Sequence, residues 1–422
     1  MWNTHWGLGI RLVFVCILLV TMAHECAGGG NLTTASCYEQ ERLALLKFKL
    51  HSIKDDHGML SSWGVSNDCC TWERVGCDDA TRRVVSLHLG EKVREDKLLD
   101  RVGLLVEDSY LVGGSINSSL TELVSLKHLD MSGNDFQRSR IPKLIGSLKQ
   151  LRYLNLSGAC FRGNIPHEIG NLSNLKVLDI NSSPYDSQES MADDMSWISG
   201  LSKLEHLDLS GVDLSRIQNL DNLLYTIPSL FTLSLSACGV SMAHLGSRHP
   251  NSSKELSKFK HLDLSENDFR GQLPGLILNM TSLSFLDLSK NNMSMVWSFE
   301  NFINMIPSVS ELRLSGCWIQ NINFSPTNLN FTTHSTIQHL DLSFNEIEGI
   351  FPFVLTNMTS LVSLDLSVNK LNSSIPAIPY LNKLDISWNS FRQIEDVGIW
   401  RQCHLQELIV SYNYLEGERL AH

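Results

Sequence analysis

The chain has 422 residues and a formal net charge of -11, with 45 acidic against 34 basic side chains. This balance argues against a nucleic-acid partner, because such proteins need a concentrated basic face. Length alone would allow roughly two or three globular domains.

The first predicted element is a secretory signal peptide over residues 1–27. Arg11 precedes the apolar run Leu12–Val20, and the small residues Ala23 and Ala27 follow it, which is the order found in signal peptides. The run is shorter than the roughly 20 residues that a bilayer span requires, so an uncleaved anchor is the less favoured alternative. We therefore expect the chain to enter the secretory pathway.

Asn-x-Ser/Thr sequons support the secretory route, because twelve of them behind a signal peptide are typical of a glycoprotein. One sequon is at Asn155, and the other eleven, which are the candidates for N-glycosylation, are at Asn31, Asn117, Asn171, Asn181, Asn251, Asn279, Asn292, Asn323, Asn330, Asn357 and Asn372.

Four cysteines, Cys37, Cys69, Cys70 and Cys77, cluster ahead of the repeats described below. In an oxidising compartment such a cluster predicts two disulfides. Adjacent cysteines are poor partners because their bond is strained. Two pairings remain, Cys37–Cys69 with Cys70–Cys77 or Cys37–Cys70 with Cys69–Cys77. A zinc site is disfavoured, because no histidine stands at ligand spacing within the cluster.

Residues 37–77 form a distinct unit. In the segment Glu39–Lys49, the apolar residues Leu43, Leu46 and Phe48 are predicted to form one face of a helix. The charged residues between which they lie are Glu41, Arg42, Lys47 and Lys49. A stacked array exposes its core at each open end and needs a terminal cap. The cysteine-stapled unit is therefore predicted to be the N-terminal cap.

The pattern Leu-x-x-Leu-x-Leu then recurs at intervals near 24 residues. Its twelve copies start at Leu126, Leu151, Leu175, Leu204, Leu230, Phe259, Leu283, Val309, Ile337, Leu361, Leu381 and Leu405. This period and pattern are the signature of leucine-rich repeats. We assign residues 84–417 to about 12–13 copies, with the first strand at 84–89 and the last copy incomplete.

Seven copies carry Asn three residues after the last apolar strand position. These are Asn134, Asn267, Asn291, Asn345, Asn369, Asn389 and Asn413. A buried Asn both donates and accepts, so the column predicts a hydrogen-bonded ladder between the turns of neighbouring copies. Cys238 and Cys317 occupy the same column and are predicted to be inert, buried substitutes.

A second motif, as in Gly163-Asn-Ile165-Pro166, follows the Asn column in several copies. Gly permits a sharp bend and Pro blocks a regular helix. The predicted fold is an α/β solenoid, a right-handed leucine-rich-repeat superhelix with a parallel concave β-sheet. Its convex side is short 3₁₀ and extended segments, and its N-terminal cap is helical and stapled by disulfides.

Cap and repeats together resemble the extracellular part of plant leucine-rich-repeat receptors. Phe259–Pro274 follows that family's full repeat, Leu-x-x-Leu-x-Leu-Ser-x-Asn-x-Leu-x-Gly-x-Ile-Pro, and Cys37–Phe48 with Cys69–Cys77 resembles its cap. Trp197–Leu204 and Ile227–Leu230 look more narrowly like receptor-like proteins that lack a kinase and perceive microbial elicitors.

The resemblance implies the disulfides Cys37–Cys69 and Cys70–Cys77. It also implies defence-related recognition of an extracellular protein, peptide or glycan, with signalling through a co-receptor or adaptor kinase in the membrane. Arg74 and Arg82 stand where the family's cap usually has Gly, so we expect its local turns to be disturbed. The family continues beyond the point corresponding to His422 into further repeats and a membrane span, so we expect a truncated product or gene model. Its location would be the plasma membrane if the full gene encodes a span, and otherwise the apoplast.

Two alternatives remain. The chain could be a soluble inhibitor that resembles polygalacturonase-inhibiting proteins and blocks a microbial cell-wall-degrading enzyme. It could also be a non-functional truncated paralogue. We expect no enzymatic activity, cofactor, metal or catalytic residue. The sequence has no Gly-rich phosphate loop, nucleophile elbow or metal-spaced His pair.

Two columns of side chains are expected to point out of the concave sheet. The column of Asp residues belongs to the repeat consensus and is predicted to hydrogen-bond laterally along the sheet. The repeat does not dictate the other, mixed column, whose aromatic and imidazole groups suit ligand contact. The ligand-surface candidates are Tyr153, His206, His261, Phe285, Phe344, Trp388 and Tyr412.

Overall fold

The computed structural model describes residues 36–91, 110–182, 190–218, 220, 224–245, 256–270, 273, 277, 280–293, 298–324, 335–373, 375–376, 378–392 and 404–415. The predicted signal peptide lies outside the described residues, as do the sequons at Asn31, Asn251, Asn279 and Asn330.

Each predicted repeat copy contributes one strand to a single long sheet. Two further strands precede these twelve in the sheet. In chain order, β1 to β14 are Val75–Cys77, Val84–His88, His128–Asp130, Tyr153–Asn155, Val177–Asp179, His206–Asp208, Thr232–Ser234, His261–Asp263, Phe285–Asp287, Glu311–Arg313, His339–Asp341, Ser363–Asp365, Lys383–Asp385 and Glu407–Ile409. β1 and β2 are antiparallel, and the later neighbours are parallel. The register aligns the central leucines, such as Leu129, Leu154 and Leu178, which are fully buried. The predicted parallel sheet is confirmed.

The opposite side consists of short segments, as the Gly and Pro residues predict. The 3₁₀ helices are Ser118–Glu122, Lys143–Ser147, His167–Asn171, Ser196–Gly200, Asn321–Phe324 and Phe353–Asn357, and the short α-helices α2 and α3 are Met242–Leu245 and Phe299–Met305. Short strands pair as Ile53–Lys54 with Val112–Gly113, Gly163–Asn164 with Ser190–Met191, and Glu348–Gly349 with Lys370–Leu371. Within the described ranges, no helix has the length and apolar character needed to cross a bilayer.

Two glycines set the spacing of the convex side. A Cβ at Gly146 would lie 2.1 Å from the carbonyl oxygen of Glu168, and one at Gly170 would lie 2.4 Å from that of Trp197. Only glycine leaves room for such close backbone approach. Successive 3₁₀ helices can therefore stack at the same tight interval as the strands on the other side.

The Asn column forms the predicted ladder between copies. The buried Asn345 donates from Nδ2 to the carbonyl oxygens of Leu314 and Leu342, both at 2.9 Å. Its Oδ1 accepts from the backbone N–H groups of Cys317 and Ile319 at 2.9 and 3.0 Å. One side chain thus satisfies buried backbone groups of two copies at once.

Cys238 and Cys317 fill the same column and are fully buried. Each thiol donates to a carbonyl oxygen of the preceding copy, that of Leu209 or Leu288, at 3.1 Å. Burial raises the pKa of both thiols. They therefore stay protonated, which agrees with the predicted inert role.

The predicted cap helix is α1, Glu39–Ser52, and two predictions about its faces are wrong. Leu45 and Phe48 are fully buried, but Leu43, expected on the apolar face, is 42% exposed. Glu41, expected among the surface charges, is fully buried. The buried face of α1 is therefore rotated from the predicted one and includes a carboxylate.

Glu41 joins the cap to the first repeat strand. Its Oε2 accepts from the backbone N–H of Val84 at 2.8 Å, and its Oε1 accepts from the guanidinium of Arg83 at 3.2 Å. Arg83 also lies 3.7 Å from the centroid of the Tyr38 ring. The carboxylate therefore satisfies a backbone donor at the open end of the sheet, where β2 meets the cap.

Disulfides Cys37–Cys69 and Cys70–Cys77 staple this unit. This is the pairing implied by the plant-receptor resemblance, and it removes the alternative pairing.

The expected disturbance at Arg74 and Arg82 is corrected by the structure. Both residues adopt the left-handed backbone that glycine favours, with φ of 67° and 56°. Arg74 donates to the carbonyl oxygens of His88 and Gly90 at 2.9 and 2.8 Å, and Arg82 pairs with Asp68 at 2.6 Å. These contacts hold the two turns in the conformation that glycine would otherwise supply.

Candidate ligand-binding surface

One outward-facing side chain per strand forms a row on the sheet, here called the concave column. In its first seven copies it consists of His128, Tyr153, Val177, His206, Thr232, His261 and Phe285. The rings of His128 and Tyr153 are 4.0 Å apart and almost parallel, and the ring of His88 lies 4.5 Å from that of His128. His128 and Tyr153 therefore stack within the column, and the His88 ring, whose register partner is Asp130, contacts this stack at a tilt of 39°.

A second stack lies further along the same column. The rings of His261 and Phe285 are 3.9 Å apart at an interplanar angle of 2°, and the guanidinium of Arg313 lies 5.0 Å from the Phe285 centroid. Four of the seven sequence-predicted candidates, Tyr153, His206, His261 and Phe285, thus share one surface. Sequence reasoning did not select His88 or Arg313 as candidates. Arg313 could have been found from the sequence, because it interrupts the column of Asp residues.

The Asp column beside it has a structural role, but it does not hydrogen-bond laterally as predicted. Each carboxylate bonds locally to the serine or asparagine two residues later. Oδ1 of Asp263 accepts from the N–H and hydroxyl of Ser265 at 2.9 and 2.7 Å, and Asp385 does the same with Ser387. These side chains fix the turn after each strand, as Asp commonly does. They leave the concave column as the surface that the fold does not explain.

Partial burial changes the protonation of this face. It lowers the pKa of His128, His206 and His261. These imidazoles are therefore neutral near neutral pH, and each offers one hydrogen-bond donor and one acceptor. The first seven positions of the concave column are therefore an uncharged strip beside a row of carboxylates, and Glu311 follows them.

Asp179 gives the face a measurable pH dependence. Burial raises its pKa to about 6, with a smaller contribution from Asp208 and Asp130 and opposition from the hydrogen bond donated by the Asn181 N–H. Since this pKa lies above that of the unfolded chain, the resulting stability is complete below about pH 4 and is lost as pH rises through about 6.

Asp179→Asn keeps the acceptor and removes the charge. We expect it to raise the free energy of unfolding at neutral pH by about 1–2 kcal/mol, less than the full shift because the group is partly exposed. Chemical denaturation at about pH 4 and at neutral pH measures the free energy of unfolding of the wild type and of Asp179→Asn. The same pH dependence in both proteins would contradict the role given to Asp179.

The other three candidates lie on a different surface, here called the edge ridge, made of Phe344, Val368, Trp388 and Tyr412. Each stands between the Ser and the Asn of its copy, with φ between 54° and 57°. Phe344, Trp388 and Tyr412 are 63%, 53% and 68% exposed, and the rings of Trp388 and Tyr412 stack at 4.0 Å.

Earlier copies fill this left-handed position with glycine, as at Gly133 and Gly211, or with other residues, as at Ala237, Glu266 and Lys290. A non-glycine residue there costs roughly 1–2 kcal/mol. The left-handed backbone is therefore a feature of the repeat. The edge ridge differs from the earlier copies because its side chains at this position are large, apolar and mostly exposed rings.

A cleft of about 390 Å³ adjoins the edge ridge. Its lining includes Lys290, Gly316, Trp318, Phe344 and Glu346. The sequence missed Trp318, which is 59% exposed, because it follows the buried Cys317 rather than preceding it. A tryptophan in a polar turn was the signal that could have found it.

The described sequons differ in accessibility. Asn171, Asn292, Asn357 and Asn372 are exposed, and Asn117 and Asn181 are partly exposed. Asn323 differs from these sequons. Its side chain is only 2% exposed and its Oδ1 accepts from the N–H of Gln320 at 2.9 Å, so this asparagine is inaccessible in the folded chain.

Asn155 is different again, because it lies on the concave face. Its Nδ2 donates to the Tyr153 hydroxyl at 3.3 Å, and its Oδ1 accepts from the N–H of Ser157 at 2.9 Å. A glycan at this site would cover part of the concave column.

Family models and solved structures agree with this architecture. A leucine-rich repeat region model matches residues 110–411, and a leucine rich repeat N-terminal domain model matches residues 39–78. The crystal structure of PEPR1-AtPEP1 aligns with a TM-score of 0.55 at 23% identity, covering 90% of this chain and 52% of that chain. The ectodomain of the Arabidopsis thaliana receptor kinase GASSHO1/SCHENGEN3 aligns with a TM-score of 0.53 at 23% identity, covering 90% and 48%. At this identity the likeness establishes the fold.

Curated relatives are closer in sequence. Receptor-like protein EIX1 of Solanum lycopersicum is 36% identical over 271 residues, which cover 63% of this chain and 25% of the relative. Receptor-like protein EIX2 of the same species is 31% identical over 375 residues, which cover 75% and 34%. The chain thus spans about a quarter to a third of the length of these relatives. It belongs to the leucine-rich-repeat family, with that family's N-terminal domain ahead of the repeats, and its homologues are plant receptor-like proteins.

Proposed function

We propose that the chain recognises an extracellular ligand in plant defence, and that the concave column makes the contact. The observation that carries this proposal is the pair of ring stacks, at His128–Tyr153 and at His261–Phe285, which the repeat consensus does not require. The similarity to receptor-like proteins supports the same function.

The chemistry of the concave column suits a protein, peptide or glycan ligand. Neutral imidazoles offer paired donors and acceptors, and the rings of Tyr153 and Phe285 offer apolar faces and edges. Aromatic residues of this kind commonly supply most of the binding energy at interfaces. The carboxylates beside the column favour ligands with positively charged groups.

We assign the edge ridge to a second partner, a co-receptor or adaptor kinase in the membrane that carries the signal. Its exposed rings are apolar, and the adjoining cleft combines the rings of Trp318 and Phe344 with the charged side chains of Lys290 and Glu346. The protein would reach the extracellular face of the plasma membrane or the apoplast through a signal peptide at residues 1–27. In this proposal the cap is residues 37–77 and the repeats are residues 84–417.

Glycosylation gives a direct prediction of the secretory route. We expect glycans at the exposed sequons Asn171, Asn292, Asn357 and Asn372, and none at Asn323, which is buried. Recognition by the concave column further requires that Asn155 is unmodified. Glycopeptide mass spectrometry of the protein secreted from plant cells measures each site. A fully occupied Asn155 or Asn323 would contradict the expectation.

Affinity capture tests the proposal as a whole. Immobilised chain is challenged with fractionated culture fluid from plant-pathogenic microbes, and captured polypeptides or glycans are identified by mass spectrometry. A variant with Tyr153→Ala, His206→Ala, His261→Ala and Phe285→Ala is compared with a convex-side control, Ile350→Ala with Phe353→Ala, whose apolar side chains are more exposed than those of the concave variant. We expect capture by the wild type and the control and its loss from the concave variant. Equal loss from both variants, or capture that survives in the concave variant, contradicts the proposal.

A further inference from the structure

A row of positive charge lies along one edge of the N-terminal repeats, here called the basic rim. It consists of Lys127, Lys149, Arg152, Lys176 and Lys203. Lys127, Arg152 and Lys176 are immediate neighbours, because the N–H of Arg152 donates to the Lys127 carbonyl oxygen at 2.7 Å and that of Lys176 donates to the Arg152 carbonyl oxygen at 2.8 Å. Three cationic side chains therefore stand side by side at the strand spacing of about 4.8 Å.

A second line of cations runs parallel to the first. Asn174 donates from Nδ2 to the carbonyl oxygen of Lys149 at 3.0 Å and accepts from the ammonium of Lys203 at 2.8 Å. Asn174 thus ties Lys149 and Lys203 into one line. Lys149, Arg152, Lys176 and Lys203 are exposed, and Lys127 is partly exposed.

The basic rim carries little compensating charge. Glu205 ends the row and pairs with Lys176 at 2.6 Å. At the opposite end, the carboxylate of Asp78 takes hydrogen bonds from Thr81 and lies within the field of Lys127. Adjacent like charges in a sheet are destabilising, so the fold does not explain the row.

The C-terminal copies contrast with this arrangement. Beyond Glu205 the same row continues with Phe231 and the exposed Lys260, and then with the uncharged Ser284, Ser310, Gln338, Val362, Asn382 and Gln406. The exposed lysines of the copies after Lys260 are ion-paired elsewhere, as Lys290 with Glu266, Lys370 with Glu346 and Lys383 with Glu407. Cations on three adjacent copies, of which Lys176 is paired with Glu205, are thus concentrated at one edge of a protein whose net charge is -11.

We propose that the basic rim binds a linear uronic-acid polysaccharide that lies along the edge of the N-terminal repeats. A polymer with one carboxylate per sugar matches a protein edge with about one cation per strand. The Asp row beyond the concave column repels a polyanion from the centre of the sheet and keeps it on the rim. Single-stranded nucleic acid, another linear polyanion, is a competing ligand in the test below. The proposal rests on the extracellular location given under the proposed function.

The test uses the full secreted chain and a labelled oligogalacturonate, with its methyl-esterified form as the uncharged probe. The rim variant carries Lys127→Gln, Arg152→Gln and Lys176→Gln. The matched control carries Lys290→Gln, Lys370→Gln and Lys383→Gln, which changes the net charge by the same amount. We expect Kd to rise about tenfold or more in the rim variant and by less than about twofold in the control, with a shallower salt dependence between about 50 and 200 mM in the rim variant.

Several results would overturn the proposal. The first two are binding of the methyl-esterified probe as tightly as the charged probe, and the same loss of affinity in the rim variant and in the control. The other two are a folded wild type that does not bind oligogalacturonate, and a wild type that binds single-stranded DNA or heparin more tightly than oligogalacturonate. Thermal melts confirm that both variants fold. The concave variant separates this proposal from the proposed function, because it should keep oligogalacturonate binding while losing ligand capture. If the rim variant loses oligogalacturonate binding, we expect it to retain the ligand capture that is proposed for the concave column.

Discussion

Glu41→Ala is expected to destabilise the cap by about 3 kcal/mol, because it leaves a buried backbone N–H without an acceptor and Arg83 without its anion. The wild-type carboxylate is fully buried and accepts from Val84 N–H at 2.8 Å and from Arg83 at 3.2 Å. The cap covers the open end of the core, so its detachment should also expose the apolar surface of β2.

Glu41→Gln is the matched control. Its amide oxygen can still accept from the Val84 N–H, so we expect a loss of about 1 kcal/mol. Hydrogen exchange at Val84 and thermal unfolding measure both variants. Equal losses in the two variants would assign the effect to the charge alone, and no loss in either would contradict the role given to Glu41.

Asn345→Ala is expected to cost about 3 kcal/mol or more, since it leaves several buried backbone groups of two copies unsatisfied. Asn345 donates to Leu314 and Leu342 and accepts from Cys317 and Ile319. In a stacked array, stability is carried by neighbouring interfaces. The loss should therefore appear as local opening between the copies that start at Val309 and Ile337.

Asn345→Cys is the control that the chain itself supplies. Cys238 and Cys317 fill the same column, and their thiols donate to carbonyl oxygens of the preceding copy at 3.1 Å. We expect the cysteine variant to retain about half of the stability that alanine loses. Site-resolved hydrogen exchange separates the two variants. Protection that falls equally across all copies, or not at all, would contradict the ladder role.

The sheet, the Asn ladder and the cap helix could be predicted from the sequence because each repeats or has a local pattern. Leucines at fixed spacing leave one way to bury themselves, and the Asn column follows the same period. Glu41 could not be placed, because a carboxylate on a helix resembles a surface residue until its partner at Val84 is in position. That contact joins residues 43 positions apart.

The candidate surface was predictable in part. Tyr153, His206, His261 and Phe285 follow the alternation of a strand, so their shared face could be read from the pattern. Phe344, Trp388 and Tyr412 follow the serine after each strand, where a left-handed backbone carries them to the edge ridge. The pattern alone does not contain this turn, which separates seven candidates into two surfaces.

The most direct test of recognition by the concave column is the affinity of the captured ligand for single-residue variants. His261→Ala and Phe285→Ala are compared with Phe344→Ala and Trp388→Ala on the edge ridge and with Phe353→Ala on the convex side. Recognition by the concave column predicts that Kd rises about tenfold or more for the first two and by less than about twofold for the others. Unchanged affinity at His261 and Phe285, with a loss at the edge ridge or on the convex side, would contradict it.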